Sequence, residues 1–177
     1  DGRVLAVTPA RAPFRGQTWA YAVPLDGGPP QRLPWGPVTA LAPGPGGALV
    51  LGVNASRRGA ASWKRYRGGT AGAVWIDPDG SGTFQPFLAG LGGQLEHPTW
   101  TGDRLVLLSD HEGWGNVYSV AADGSDLRRH SDHGDHYARA LSGDGDRLVY
   151  AALGELYLID DLSVDGQPRR IDVRTGG

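Results

Sequence analysis

Short runs of hydrophobic residues, bounded by glycine, proline or aspartate, recur along the whole chain. Two of them, Leu105 to Leu108 and Leu156 to Ile159, are apolar at every position. Continuous apolar runs of this length are typical of strands buried on both faces. Glycine (29 residues) and proline (13 residues) are spread evenly, and they disfavour a helix by about 1 and 3 kcal/mol relative to alanine. The pattern therefore predicts an all-β chain with almost no helix.

The strand pattern repeats at a fixed interval. The sequence Asp-Arg-Leu-Val at 103–106 recurs at 146–149, and the strand at 116–120 is echoed at 155–159. The interval is about 40 residues, which is the length of one four-stranded propeller blade. This repeat predicts a β-propeller built from four-stranded antiparallel blades.

Two earlier copies of the same strand pair complete the count. One pair lies at 47–51 and 73–77, separated by an insertion between about Asn54 and Gly69, and another lies near the start of the chain. We therefore predict one partial propeller domain over residues 1–177, with the first blade lacking its innermost strand. The four blades occupy approximately residues 1–35, 36–90, 91–132 and 133–177.

Four blades with an incomplete first blade favour an open arc of a larger ring. The chain opens on Asp1 in the middle of a predicted hairpin and contains no methionine. We expect it to be a fragment of a longer protein. Exposed end blades of an isolated arc are then expected to be association sites.

Turn signals lie between the third and fourth strand of three blades. They are Asp26-Gly27-Gly28, Asp77-Pro78-Asp79-Gly80 and Asp123-Gly124-Ser125-Asp126. Glycine adopts the positive φ angles that hairpin loops require, and the aspartate side chain accepts hydrogen bonds from backbone N–H groups in the turn. These acidic residues are therefore interpreted as structural.

Composition excludes several function classes. The chain has no cysteine, so disulfides and thiolate metal sites are excluded. The formal net charge is -2 and the basic residues are dispersed, so the sequence predicts no nucleic acid partner. No apolar run approaches the roughly 20 residues needed to cross a bilayer, so no membrane association is predicted either. A cytoplasmic location fits these features.

Three histidines lie close together in one segment. His130, His133 and His136 are interleaved with carboxylates and have the donor types that bind zinc. Their spacing matches no closed zinc motif, and the segment links the last strand of one blade to the first strand of the next. We therefore predict no metal site and no cofactor.

The tripeptide Ser109-Asp110-His111 contains the three residue types of a nucleophilic triad. Members of a triad converge from distant segments, whereas adjacent side chains at a strand end are expected to point apart. No Gly-x-Ser-x-Gly elbow and no phosphate-binding Gly-x-x-x-x-Gly-Lys are present. The sequence predicts no catalytic residue in this chain.

Aromatic residues recur at one position of the third predicted strand. They are Trp19, Trp75, Tyr118 and Tyr157. This regularity favours packing within or between blades over ligand binding. A second group, Trp35, Trp100 and Trp114, lies near predicted turns, and its members either pack or reach a central channel.

The densest cluster of cationic and aromatic residues lies in the insertion of the second blade. It is Trp63-Lys64-Arg65-Tyr66-Arg67-Gly68-Gly69-Thr70. Together with the strand 73–77, it resembles the propeller of the tricorn proteases. The resemblance covers most of the chain from about Val38, through the segments 109–119, 123–130 and 135–139.

The resemblance implies a function for the parent protein. It implies a large cytoplasmic serine peptidase with two N-terminal propellers, which assembles as a hexamer and degrades peptides released by upstream proteases. This chain would belong to the first, six-bladed propeller. The nucleophilic serine and the histidine of the family belong to domains absent here, so neither Ser109 nor His111 inherits a catalytic role.

The cations of the insertion have two interpretations that the sequence leaves open. Lys64, Arg65 and Arg67 either contact peptide carboxylates or a neighbouring domain, or the two arginines stack on Trp63 or Tyr66 and brace the inserted loop. The expected partners are peptides and other domains of the parent peptidase. The alternative function is a non-enzymatic propeller that acts as a protein–protein interaction module.

Overall fold

The computed structural model describes residues 2–54, 64–163 and 167–174, which form four antiparallel sheets. The strands are β1 (Arg3–Thr8), β2 (Trp19–Pro24), β3 (Gln31–Pro37), β4 (Ala40–Pro43), β5 (Leu49–Val53), β6 (Ala73–Asp77), β7 (Gln85–Phe87), β8 (Leu95–Thr101), β9 (Arg104–Ser109), β10 (Asn116–Ala121), β11 (Arg128–Arg129), β12 (Arg139–Gly143), β13 (Leu148–Ala152), β14 (Glu155–Ile159) and β15 (Arg169–Ile171). Within these ranges the helical content is one 3-10 turn, Pro45–Gly47, and no helix is long and apolar enough to cross a membrane.

Each sheet is a meander of strands that are consecutive in the chain. The first sheet has three strands, β1-β2-β3, and the second, third and fourth sheets have four strands each, beginning with β4, β8 and β12. The prediction of four-stranded antiparallel units, with one strand fewer in the first unit and almost no helix, is confirmed.

The turns that join β2 to β3, β6 to β7 and β10 to β11 have the predicted chemistry. Gly27, Gly80 and Gly124 have φ angles of 86°, 73° and 87°. Asp26 and Asp123 each accept a hydrogen bond from the backbone N–H two residues further on, at 3.0 and 2.9 Å. The interpretation of these acidic residues as structural is confirmed.

Strand β9 shows why the sheets stack. Leu105 and Leu107 on one face belong to the hydrophobic cluster shared with the second sheet. Val106 and Leu108 on the other face belong to the cluster shared with the fourth sheet. Each buried side chain contributes roughly 1.5–3 kcal/mol, so the apolar run 105–108 is a strand sandwiched between two neighbours, as predicted.

The corresponding prediction for β14 is wrong. In Leu156 to Ile159 only Ile159 is buried, and Leu156 is 39% exposed. The reason is positional, because the fourth sheet packs on the third sheet through one face and has no described sheet on the other. Most of the exposed large hydrophobic residues lie in the strands of the two end sheets or in the segments next to those strands: Val4, Leu5, Phe14, Leu25, Leu153, Leu156 and Val173.

Two of the predicted aromatic positions also need correction. Tyr118 and Tyr157 are third in their strands, but in β2 the third position is Tyr21, which is 4% exposed, rather than Trp19. The pairing of β2 with β3 shifts register between these two residues, whereas its pairing with β1 is continuous. Trp75 has the expected place in β6 but is 37% exposed, so packing does not account for it fully.

Trp100 joins the second and third sheets. Its indole N–H donates a hydrogen bond of 3.0 Å to the carbonyl of Ala42, and the ring is 8% exposed. A Cβ atom on Gly44 would lie 2.4 Å from the Trp100 ring. Trp100 is therefore a packing residue.

The first strands of successive sheets lie side by side. β8 contacts both β4 and β12. β8 and β12 each contain a register shift, between Glu96 and Thr99 and between Arg139 and Ser142. In both bulges one exposed residue, His97 or Ala140, has a φ angle of 52°. The repeated bulge gives the neighbouring first strands the same shape.

Candidate functional site

The carboxylate of Asp110 attaches the end of the insertion to the third sheet. This side chain follows β9 and has no exposed surface. Its Oδ1 accepts hydrogen bonds from the backbone N–H of Gln94 at 2.9 Å and from Nη1 of Arg67 at 3.0 Å. Its Oδ2 accepts from the backbone N–H of Arg65 at 2.9 Å and from the hydroxyl of Tyr137 at 3.2 Å. Four donors thus satisfy the buried charge.

Arg67 binds both the side chain and the backbone of Asp110. Nη2 donates to the Asp110 carbonyl at 2.7 Å, while Nη1 also donates to the carbonyl of Tyr66 at 3.2 Å. The Arg67 side chain remains 41% exposed. A charged group that is bound on one side and open on the other can hold its position and still meet a ligand.

Arg65 and Lys64 lie over a pair of aromatic rings. Nε of Arg65 donates to the carbonyl of Gly113 at 2.9 Å, and its guanidinium lies 5.1 Å from the ring centroid of Trp114. Nζ of Lys64 lies 5.6 Å from the ring centroid of Tyr137 and 6.0 Å from that of Trp114. The two rings meet edge to face with centroids 5.6 Å apart. Trp114 therefore packs and binds cations.

The structure brings the three predicted contact residues, Lys64, Arg65 and Arg67, to the end of the third sheet. The stacking partner of Arg65 is Trp114, which the sequence did not indicate. Trp63, named with Tyr66 as a candidate stacking partner, lies outside the described residues. Contact with a peptide or a neighbouring domain stays a prediction.

Glycine permits the close approach at Asp110. Gly92 and Gly93 have φ angles of 74° and 76°, which favour glycine. A Cβ atom on Gly93 would lie 2.8 Å from Oδ1 of Asp110 and 2.9 Å from the backbone nitrogen of His111. The pair Gly92-Gly93 before β8 is the sequence signal that could have pointed to this site.

A cleft of about 410 Å³ opens beside Arg67. Residues of β6, the end of β7 and the loop before β8 form its walls, and its larger apolar side chains are Val74, Trp75, Phe87, Leu88 and Leu95. Trp75 also borders a second cleft of about 410 Å³ with Trp35 and Phe84. Its position between two clefts explains its exposure.

Ser109, Asp110 and His111 do not form a triad. Ser109 is 2% exposed, and its hydroxyl lies 3.1 Å from Nδ1 of His111. The Asp110 carboxylate instead accepts hydrogen bonds from Arg65, Arg67, Gln94 and Tyr137. The expectation that the three side chains point apart is therefore correct for Asp110 and wrong for Ser109 with His111. Partial burial lowers the pKa of His111, so its neutral form is favoured.

The three clustered histidines have three different partners. Nε2 of His130 lies 2.7 Å from the Ser119 hydroxyl, Nε2 of His133 lies 3.0 Å from the Tyr150 hydroxyl, and His136 pairs with Asp135. In the part of the chain that the structure describes, no group of three or more His, Asp or Glu side chains is arranged to hold a metal ion.

The family model for the tricorn protease N-terminal β-propeller domain matches residues 1–165. Tricorn protease homolog 1 of Streptomyces coelicolor is 52% identical over 178 aligned residues, which cover 100% of this chain and 16% of that protein. The chain thus spans about a sixth of the length of this relative.

Solved structures give the same assignment. The crystal structure of the tricorn protease matches with a TM-score of 0.83 and 32% identity, over 100% of this chain and 17% of that chain. Putative TolB from Agrobacterium tumefaciens matches with a TM-score of 0.68 and 15% identity, over 96% of this chain and 60% of that chain, which shows the fold alone. These matches confirm the predicted partial β-propeller and the resemblance, and the chain belongs to the family of tricorn protease N-terminal β-propeller domains.

Proposed function

We propose that this chain is a non-catalytic propeller part of a tricorn-type serine peptidase that degrades peptides released by upstream proteases. The observation that carries the proposal is the family match over residues 1–165. The arrangement at Ser109, Asp110 and His111 supports it, because the hydroxyl is buried and the carboxylate is bound to Arg67. The parent enzyme is a cytoplasmic hexamer in this proposal, and the chemistry takes place in its other domains.

The propeller part gates peptides on their way to or from those domains. The contacts of β4, β8 and β12 bring the first strands together, as expected around a propeller axis. The exposed bulge residues His97 and Ala140 lie on these strands. A narrow passage lined by such residues admits extended peptides and excludes folded domains. It therefore selects substrates without taking part in the chemical step.

The cations of the insertion contact peptides or a neighbouring domain of the parent enzyme. Lys64, Arg65 and Arg67 contribute three positive charges next to one buried carboxylate. Exposed cations around a neutralised pair attract carboxylates and raise the rate of encounter.

Substitution of the triad-like residues in the intact protein tests the assignment of chemistry to other domains. We expect the double variant Ser109→Ala/His111→Ala to cleave unstructured peptides with kcat within about twofold of the unmodified protein, since removing a true nucleophile and base costs about 10⁶-fold. A loss of two orders of magnitude or more, in protein that retains its thermal stability, would place catalysis in this chain.

The second candidate function is a protein–protein interaction module, and the exposed hydrophobic residues of the end sheets favour it. Leu153 is 76% exposed and Leu25 is 70% exposed. A module of this kind would bind protein partners in an intact protein that cleaves no peptide. Peptide cleavage by the intact protein decides between the two functions.

A further inference from the structure

We propose that the cleft beside Arg67 binds the C-terminal residue of a peptide, with the terminal carboxylate on Arg67 and an apolar last side chain against the cleft walls. The proposal rests on the proposed function in so far as peptides are the ligands. It goes further because it names one site and one ligand group, and it assigns the carboxylate to Arg67 and the last side chain to the apolar walls.

The guanidinium of Arg67 keeps one complete edge for a ligand. It has five N–H donors. Both Nη1 protons are used, by Oδ1 of Asp110 and the carbonyl of Tyr66, and one Nη2 proton is used by the carbonyl of Asp110. The remaining Nε–H and Nη2–H have no acceptor among the described residues. These two donors lie on the same edge, which is the fork that binds a carboxylate through two parallel hydrogen bonds.

The attachment to Asp110 preorganises this fork. The Asp110 side chain has no exposed surface and holds the end-on edge of the guanidinium. An arginine that is already fixed loses less conformational entropy on binding than a free surface arginine, which must order its whole side chain. Asp110 is thus a positioning residue for Arg67.

The local charge favours an anion although Arg67 is already paired. Asp110 pairs with Arg67 and Glu112 pairs with Arg129, while the buried Glu96 lies beside Gly72 of the cleft wall. Lys64 and Arg65 add two exposed cations beside Trp114 that form no ion pair with another described residue. A ligand carboxylate is therefore attracted to this end of the cleft.

The walls of the cleft select for a terminal residue rather than an internal acidic side chain. The cleft of about 410 Å³ combines Arg67 with the apolar side chains of Val74, Trp75, Phe87, Leu88 and Leu95. The α-carboxylate and the side chain of a C-terminal residue leave the same Cα atom, so both can be placed at once. An aspartate or glutamate would place its own polar backbone against the apolar walls.

Binding of matched peptides to the intact protein tests this site. The probes are fluorescently labelled alanyl-leucine with a free carboxylate, the same peptide as its C-terminal amide, and an aspartyl-leucine amide. We expect the free acid to bind at least about tenfold more tightly than either amide, since a bidentate charge-assisted contact is lost in the amides. Equal binding of the free acid and the alanyl amide, or tight binding of the aspartyl amide, would overturn the proposal.

Two variants place the effect in this cleft. Arg67→Lys keeps the charge and its attraction to Asp110 but loses the fork, and Ala89→Trp fills the cleft from an exposed turn position while Arg67 itself is unchanged. Each is expected to reduce the preference for the free acid over the amide to about twofold or less. The matched controls are Arg170→Lys, an exposed arginine of the fourth sheet, and Ala10→Trp, an exposed turn alanine of the first sheet. Both controls should keep the full preference.

A photoreactive leucine analogue at the C-terminus of the peptide provides a readout that a purely structural role for Arg67 would not give. We expect its cross-links in residues 71–75 or 86–95. Cross-links confined to other parts of the protein would contradict the proposal. Peptide cleavage measured on the same samples separates the proposed site from the proposed function. Cleavage without binding in the cleft would disprove the site alone, whereas binding in the cleft without any cleavage would disprove the peptidase assignment alone.

Discussion

Arg67 and Asp110 are 43 residues apart in the chain and form an ion pair of 3.0 Å in which the Arg67 side chain is 41% exposed and the Asp110 side chain is completely buried. The pair connects the insertion of the second sheet to the end of β9 in the third sheet. Since breaking a buried pair leaves an uncompensated charge and unsatisfied donors, the position of the segment 64–72 depends on it.

Removing the charge of Asp110 should loosen this connection. In Asp110→Asn the amide cannot accept hydrogen bonds from all four donors, so we expect hydrogen exchange of the Arg65 and Gln94 backbone amides to become at least about tenfold faster, equivalent to about 1.4 kcal/mol or more. Mass spectrometry of exchanged peptides covers both positions. The control Asp144→Asn breaks an exposed pair with Arg147 and should leave both amides unchanged. Unaltered exchange in Asp110→Asn would show that the pair is dispensable.

The packing of Trp100 on Gly44 gives a second prediction. A methyl group at position 44 would lie 2.4 Å from the indole ring, so Gly44→Ala must displace the ring that joins the second and third sheets. We expect a loss of about 1–3 kcal/mol in the free energy of unfolding, seen as a lower melting temperature. Gly90→Ala is the matched control because a Cβ atom there meets nothing within 4 Å. Equal melting temperatures for the two variants would contradict the account of this contact.

Burial of His130 predicts a dependence of stability on pH. Burial, followed by the nearby charges of Arg104 and Arg128, lowers the pKa of His130 to about 4. The folded state therefore resists protonation, while the unfolded state takes up a proton near its usual pKa of about 6.5. The stability from neutral His130 is fully present above about pH 6.5 and is lost as the pH falls towards 4, by roughly 3 kcal/mol in total.

The variant His130→Gln isolates this contribution. Glutamine does not titrate and can still bond to Ser119, which lies 2.7 Å from Nε2 of His130. Melting temperatures measured between pH 7 and pH 4 should fall less steeply for the variant than for the unmodified protein. Parallel curves for the two proteins would mean that His130 is not the group responsible.

Features that depend on neighbouring residues in the chain were predictable from the sequence. Asp26 and Asp123 bind N–H groups two residues away, and a turn of this kind needs no distant partner. The burial of Leu105 to Leu108 was likewise predictable, because consecutive apolar residues make both faces of β9 apolar. Strand order, turn chemistry and the propeller class followed from such local signals.

Features that depend on register or on distant partners were not predictable. The partner of β2 changes from Pro37 at Trp19 to Arg32 at Tyr21, and the sequence of β2 does not show this change of register. The run Leu156 to Ile159 has the composition of a buried strand, but Leu156 is exposed because the run lies in an end sheet. Arg67 could be chosen as a candidate because the insertion around it is rich in cationic and aromatic residues. The identification of Asp110 as its partner required the three-dimensional structure.

The size of the passage between the first strands gives the most direct test of the gating account. His97 is exposed in the bulge of β8, so His97→Trp should narrow the passage with little change in stability. The control is Leu153→Trp, which has a similar φ angle of 50° and 76% exposure but lies in the turn after β13, away from the first strands.

The measurement is kcat/KM of the intact protein for an unstructured peptide of about 12 residues, relative to kcat/KM for a dipeptide substrate with the same cleaved bond. We expect His97→Trp to lower this ratio at least about fivefold, because the long peptide must pass the constriction in an extended form, and we expect Leu153→Trp to leave it unchanged. A ratio that is the same in His97→Trp, Leu153→Trp and the unmodified protein would contradict a gating role for this propeller.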